Sequence, residues 1–133
     1  MTTVAVGYDF SAHAHHAAQW AAAYARRCGA DVVLVHAIGL REHGDAHDPL
    51  VGLAAVAAEI ATSAGLDEAR VRGAVDFGDA CSVLLRCASA PVDASLLVVG
   101  TRGHDAHAGL LLGSTSLELA EHATIPLVIV PSD

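Results

Sequence analysis

At 133 residues the chain has room for one domain with a substantial core, and its single Trp, two Tyr and two Phe leave little aromatic surface for stacking nucleic-acid bases. The formal net charge is −8 and all seven basic residues are Arg, so there is no basic stripe to neutralise a nucleic-acid backbone, which argues against a nucleic-acid polymer as partner. Cys28, Cys81 and Cys87 make neither an even set nor a C-x-x-C pair and read as small buried thiols; with no basic leader and no long apolar run, the expectation is a reducing, cytoplasmic setting and no membrane.

Thr3 to Gly7 predicts a first buried strand, because Val4, Ala5 and Val6 are continuously apolar and Gly7 releases the chain into a turn. Asp9 and Ser11 stand at its exit. Ser11 is placed to cap a helix running to Cys28, with Ala14, Ala17, Ala18, Ala21, Ala22 and Ala25 at helical spacing and Gly29 beyond the end. On spacing alone Asp9 is a turn or capping aspartate. Asp31 to Ala37 is a second strand buried on both faces, and His36 near its end reads as a packed, hydrogen-bonded histidine rather than a ligand.

Gly39 to His47 is a polar loop, and Asp48-Pro49 opens a helix carrying Leu50, Leu53, Ala54, Ala57, Ile60 and Ala61 on one face before Gly65. Val71 to Phe77 predicts a third strand, at a sheet edge because Arg72 and Asp76 interrupt it. Gly78 and Asp79 lead into a helix with Val83, Leu84 and Cys87 inward, ended before Pro91. Leu96 to Val99 is the fourth strand, stopped by Gly100. A glycine-punctuated loop leads to Gly113, where Ser114, Thr115 and Ser116 open a helix to about His122; Pro126 and Pro131 bracket a last strand, Leu127 to Val130.

Strands alternating with helices predict a parallel α/β sheet with helices on both faces, whose ligands bind at the strands' C-terminal ends. The stretch after the fourth strand suits an anion: free N–H groups at a helix N-terminus, the positive end of its dipole, hydroxyl side chains, and glycine where backbone must come close. Taken singly, Gly100 and Gly103 are also compatible with ordinary turns.

The spacing Gly100-x2-Gly103-x9-Gly113-Ser114 is similar to the nucleotide-binding signature of the universal stress protein family, in its ATP-binding branch. The N-terminal VAVGYDFS, the VVLVHA strand and the closing IPLVIVP resemble that family as well, so the likeness covers nearly the whole chain. It implies a five-stranded parallel Rossmann-like sheet in the order 3-2-1-4-5. It further implies binding of ATP, AMP or another adenine nucleotide with Mg2+ or Mn2+, a stress-response signalling role, and a homodimer paired through Leu127 to Val130. By matching position, Asp9 would lie near the ribose or the metal, and the backbone of Ala37 would read the adenine edge. Gly100, Arg102, Gly103, Gly113, Ser114, Thr115 and Ser116 would surround the phosphates. The chain departs from the pattern in carrying Asp105 and histidines in the loop where relatives often have Arg or Lys.

A Walker-type loop is excluded because the chain has no lysine, and G-x-G-x-x-G is absent. Ser11, Ser82 and Ser114 lack a G-x-S-x-G context and no cysteine has a sequence-indicated base, so no catalytic residue is assigned. Two further readings of the same fold are a dimeric interaction protein that binds no nucleotide and a slow ATP hydrolase using Asp9 and a bound metal. His13 with His16, and His104 with His107, recur at three-residue spacing, but without a matching cysteine or carboxylate pattern they read as solvent-facing.

Overall fold

Alternation along the strands sorts the side chains into two cores, one on each face of a single sheet. Val4 and Val6 of β1 (Thr3–Gly7), Val32 and Leu34 of β2 (Asp31–Ile38) and Val98 of β4 (Leu96–Gly100) pack on one face. Ala5, Val33, Val35, Leu97 and Val99 pack on the other. In this computed structural model, which describes residues 2–39, 48–101 and 113–131, β3 (Val71–Phe77) and β5 (Leu127–Val130) form the two edges. All pairings are parallel and the order is β3-β2-β1-β4-β5, as expected. The edge position accounts for the charges in β3: exposed Asp76 reaches Arg86 at 3.1 Å in solvent instead of entering a core.

Helices α1 (Ala12–Cys28) and α2 (Pro49–Ala64) cover the Val4 face, and α3 (Ala80–Arg86) and α4 (Ser114–His122) cover the Ala5 face. The first starts where Ser11 Oγ accepts the Ala14 N–H at 3.1 Å and stops where Gly29 takes a left-handed φ of 76°, a conformation that costs glycine nothing. Its buried face is the six alanines foreseen from their spacing. Side chains this small bring the helix axis close to the sheet.

The buried thiols are Cys81 and Cys87; burial pushes both above the ordinary thiol value, which makes them poor nucleophiles. Cys28 corrects the expectation, because it ends the last turn of α1 beside Gly29 and is exposed. No helix of the described residues is long and apolar enough to cross a membrane.

Close approach over alanine makes size, not hydrophobicity, the limit along α1. Ala21→Leu, at a fully buried position, is expected to destabilise the fold by about 1–3 kcal/mol through overpacking. Exposed Ala23→Leu on the same helix should stay within about 0.5 kcal/mol of the parent. Urea titrations of the two variants check the contrast.

Candidate functional site

The chain leaves β1 towards β2 on one side, while β4 enters on the other, so the direction of winding reverses between β1 and β4 and opens a crevice at their C-terminal ends. One wall is set by Gly100. A Cβ built there would lie 2.8 Å from the His13 carbonyl oxygen and 3.0 Å from its carbon. The backbone of the first turn of α1 thus occupies the space that a side chain at position 100 would take.

The opposite wall is the start of α4. Gly113 N–H donates to the Thr101 carbonyl at 2.6 Å, and buried Ser116 Oγ donates to the Gly100 carbonyl at 2.8 Å. These bonds tie the helix start to the strand exit across the intervening loop. Ser116 therefore holds the wall with its hydroxyl, while Ser114 is exposed and Thr115 half-buried. Helices α1, α2 and α3 are each capped by a side chain, from Ser11, Asp48 and Asp79. The cap of α4 is Gly113, which offers none. The first-turn N–H groups of an uncapped helix are donors suited to an anion. Arg102 and Gly103 lie outside the described residues, as do Asp105, His104 and His107.

At the other end of the crevice, half-buried Asp9 accepts the Ser11 N–H on Oδ1 at 3.0 Å, which fixes the turn from β1 into α1. β1 ends its ladder as Tyr8 N–H donates to the Val35 carbonyl, whereas Gly78 N–H donates to Ile38 from the β3 side. Alternation between these two bonds turns the Ala37 N–H and C=O towards the side on which β1 has already ended. Ala37 thus offers main-chain groups at the rim. The structure brings Asp9, Ala37, Gly100 and the 113–116 turn to one end of the sheet, on three strand exits and one helix start.

An aromatic cluster that the sequence reading missed lies beside Asp9. His36 Nδ1 and the Tyr8 carbonyl oxygen are 2.9 Å apart, consistent with a packed histidine that is hydrogen-bonded. The Phe10 ring meets His36 edge-on at 5.2 Å and Tyr8 at 5.1 Å, from a residue with a φ of 63° that is 40% exposed. Tyr8 Oη lies 3.2 Å from His15 Nδ1, whose other ring nitrogen is 3.9 Å from Glu59. The available signal was Phe10 itself, a large apolar residue inside a polar capping turn.

Burial, with the Glu59 and Asp9 carboxylates nearby, pushes the Tyr8 phenol above its ordinary value of 10.0. Among the described residues, no group of three or more His, Cys, Asp or Glu is placed to hold a metal ion. Asp9 is a carboxylate at this end of the sheet, an oxygen donor of the kind that hard divalent cations take.

Because the neutral phenol is favoured in the folded state, Tyr8 contributes stability that is present below pH 10 and is lost as pH rises through its raised folded value. Ultraviolet titration in a Tyr24→Phe background should place the Tyr8 midpoint above 10, and Glu59→Gln and Asp9→Asn should each bring it down. An unchanged midpoint in Asp9→Asn would contradict the electrostatic interaction with Asp9.

The family profile described as "Universal stress protein family" matches residues 1–131. A crystal structure of a universal stress protein in complex with cAMP is 27% identical, with a TM-score of 0.77 over 99% of this chain and 98% of that one. A universal stress protein of Lactobacillus plantarum is 20% identical, with a TM-score of 0.73 over 97% of each chain. One from Archaeoglobus fulgidus, in complex with dAMP, is 20% identical, with a TM-score of 0.65 over 98% of this chain and 97% of that one. No functionally curated protein matches the sequence.

Proposed function

The chain belongs to the universal stress protein family, and from that premise we propose that it binds ATP or a related adenine nucleotide in the crevice between β1 and β4, as a stress-response regulatory module. The observation that carries this reading is the start of α4, which presents Gly113 instead of a side-chain cap. The phosphates lie against the N–H groups of the 113–116 turn, with the Ser114 and Thr115 hydroxyls beside them, and the family signature assigns Arg102 and Gly103 to the same ligand. Ser116 adds its N–H, since its hydroxyl already holds Gly100. Asp9 faces the ribose or a Mg2+ or Mn2+ ion carried by the nucleotide, and the Ala37 main chain reads the adenine edge. The cAMP in a neighbour 27% identical supports an adenine nucleotide as the ligand class.

The chain has no lysine to meet the phosphates. Their charge is met by backbone donors, the dipole of α4, Arg102 and the metal. In the same reading the protein is a homodimer. The outer edge of β5 is left open by the sheet order, and an open edge is a template for pairing with the same strand of a second copy about a two-fold axis. The cytoplasmic adenine-nucleotide pool is then the signal whose level the module registers.

Calorimetric titration of protein freed of carried-over ligand by unfolding and exchange is expected to give saturable binding of at least one of ATP, AMP and cyclic AMP, tested with and without magnesium. Gly113→Val should weaken it at least about tenfold, equivalent to about 1.4 kcal/mol. Gly113 has a φ of −76°, which valine also adopts, so the loss would report the side chain's bulk and not backbone strain. Absence of heat with all three nucleotides would favour the nucleotide-free interaction protein.

A further inference from the structure

Trp20 and Tyr24 stack on the outside of α1, with ring centroids 5.4 Å apart and planes 12° apart, and they are 37% and 38% exposed. In a chain with five Phe, Trp and Tyr residues in total, two of them share one open helix flank. The opposite flank of α1 faces α2. There Gln19 and Ala23 line a shallow recess with Ile60 and Ser63, and His15 stands opposite Glu59. With about 100° between successive helix residues, Trp20 and Tyr24 are turned away from that contact. α2 packs on β3, and α1 packs on β4 and β1 and also touches β5, so the aromatic flank overhangs the β5 edge.

On that same face β5 is thinly covered. Val128 and Val130 belong to the core beneath α1 and α2, yet Val128 remains only half-buried, and among the described residues no helix lies beyond α1 on this side. A parallel sheet of this class has both faces covered. Among the described residues, β5 therefore keeps a partly exposed strip at Val128 on the face that α1 covers, on the side of α1 to which the two rings turn.

We propose that the Trp20–Tyr24 stack is the second contact of a homodimer whose first contact is the β5 edge, an inference that rests on the dimer reading above. Pairing β5 with its symmetry mate sets two α1 helices on either side of the joined strands. The aromatic pairs of both copies then fill the strip over Val128, which no helix among the described residues covers. A second copy is the occupant for two reasons. The patch is self-complementary under the two-fold axis that pairs the strands. It also brings no carboxylates of these two elements together, which favours contact between two anionic chains: the chain has 15 Asp and Glu, and none lies in α1 or β5. Large aromatic rings are the residue type that anchors such interfaces.

Trp20 is the only tryptophan, so its emission reports this patch alone. The test follows emission and mass together, by fluorescence and sedimentation velocity, across a dilution series of the intact chain. The expected result is a dimer with blue-shifted emission that shifts red with the same midpoint at which the mass halves. Trp20→Ala with Tyr24→Ala, at exposed positions that leave the circular dichroism unchanged, should weaken the dimer by about 30-fold. A dimer that dissociates with no change in emission, or that keeps its affinity in the double variant, overturns the aromatic contact and leaves pairing through β5 intact. A chain that is monomeric at every concentration overturns both.

Discussion

The carbonyl of His13 stands where a side chain at position 100 would be, and the geometry of the crevice depends on that contact. Backbone against backbone at this distance is possible only for glycine in β4. It brings the first turn of α1 onto the exit of a strand that is not its sequence neighbour. The turn that feeds α1 carries Asp9, and β4 feeds the loop that ends at Gly113. One short contact therefore places the two halves of the candidate site beside each other, although more than ninety residues separate them.

Around that contact the polar groups divide the labour. Ser11 and Asp9 order the turn after β1 through bonds to main-chain N–H groups. Ser116 and Gly113 order the start of α4 through bonds to the carbonyls of Gly100 and Thr101. What these leave on the crevice side is main chain: the uncapped first turn of α4 and the end of β2 at Ala37. A site assembled from main-chain donors is held by the fold itself and loses no rotamer freedom when a ligand arrives. Phe10, Tyr8 and His36 close the adjoining corner with apolar surface.

Much of this was legible in the sequence because the signals were local. Uninterrupted Val, Ala and Leu runs marked strands buried on both faces, alanine spacing marked the inner face of α1, and Arg72 with Asp76 marked β3 as an edge. The strand order was implied by family resemblance rather than by periodicity. What stayed hidden concerns partners distant in sequence. Gly100 gave no sign that its neighbour would be His13, and a serine in a Gly-Ser-Thr-Ser run gave no sign that Ser116 would turn inward while Ser114 faced solvent. Cys28 counted as apolar by composition and lies in solvent because the helix ends with it. The stacking of Trp20 on Tyr24 follows from helical spacing, but the strip it borders exists only once β5 is known to be the edge.

The alanine seam of α1 has a mechanical meaning. Most helices stand off a sheet on branched side chains that can change rotamer and absorb a change in separation. Methyl groups have no rotamers to change, so α1 rests on the strands like a rod on fixed shims, over a length of roughly 25 Å. At one end of the rod is His13, against Gly100; at the other is Ala25, beneath the turn at Gly29. The opening beside β4 is thus gauged by the thickness of residues a full helix length away, and the aperture of the crevice is written partly into a surface that no ligand touches.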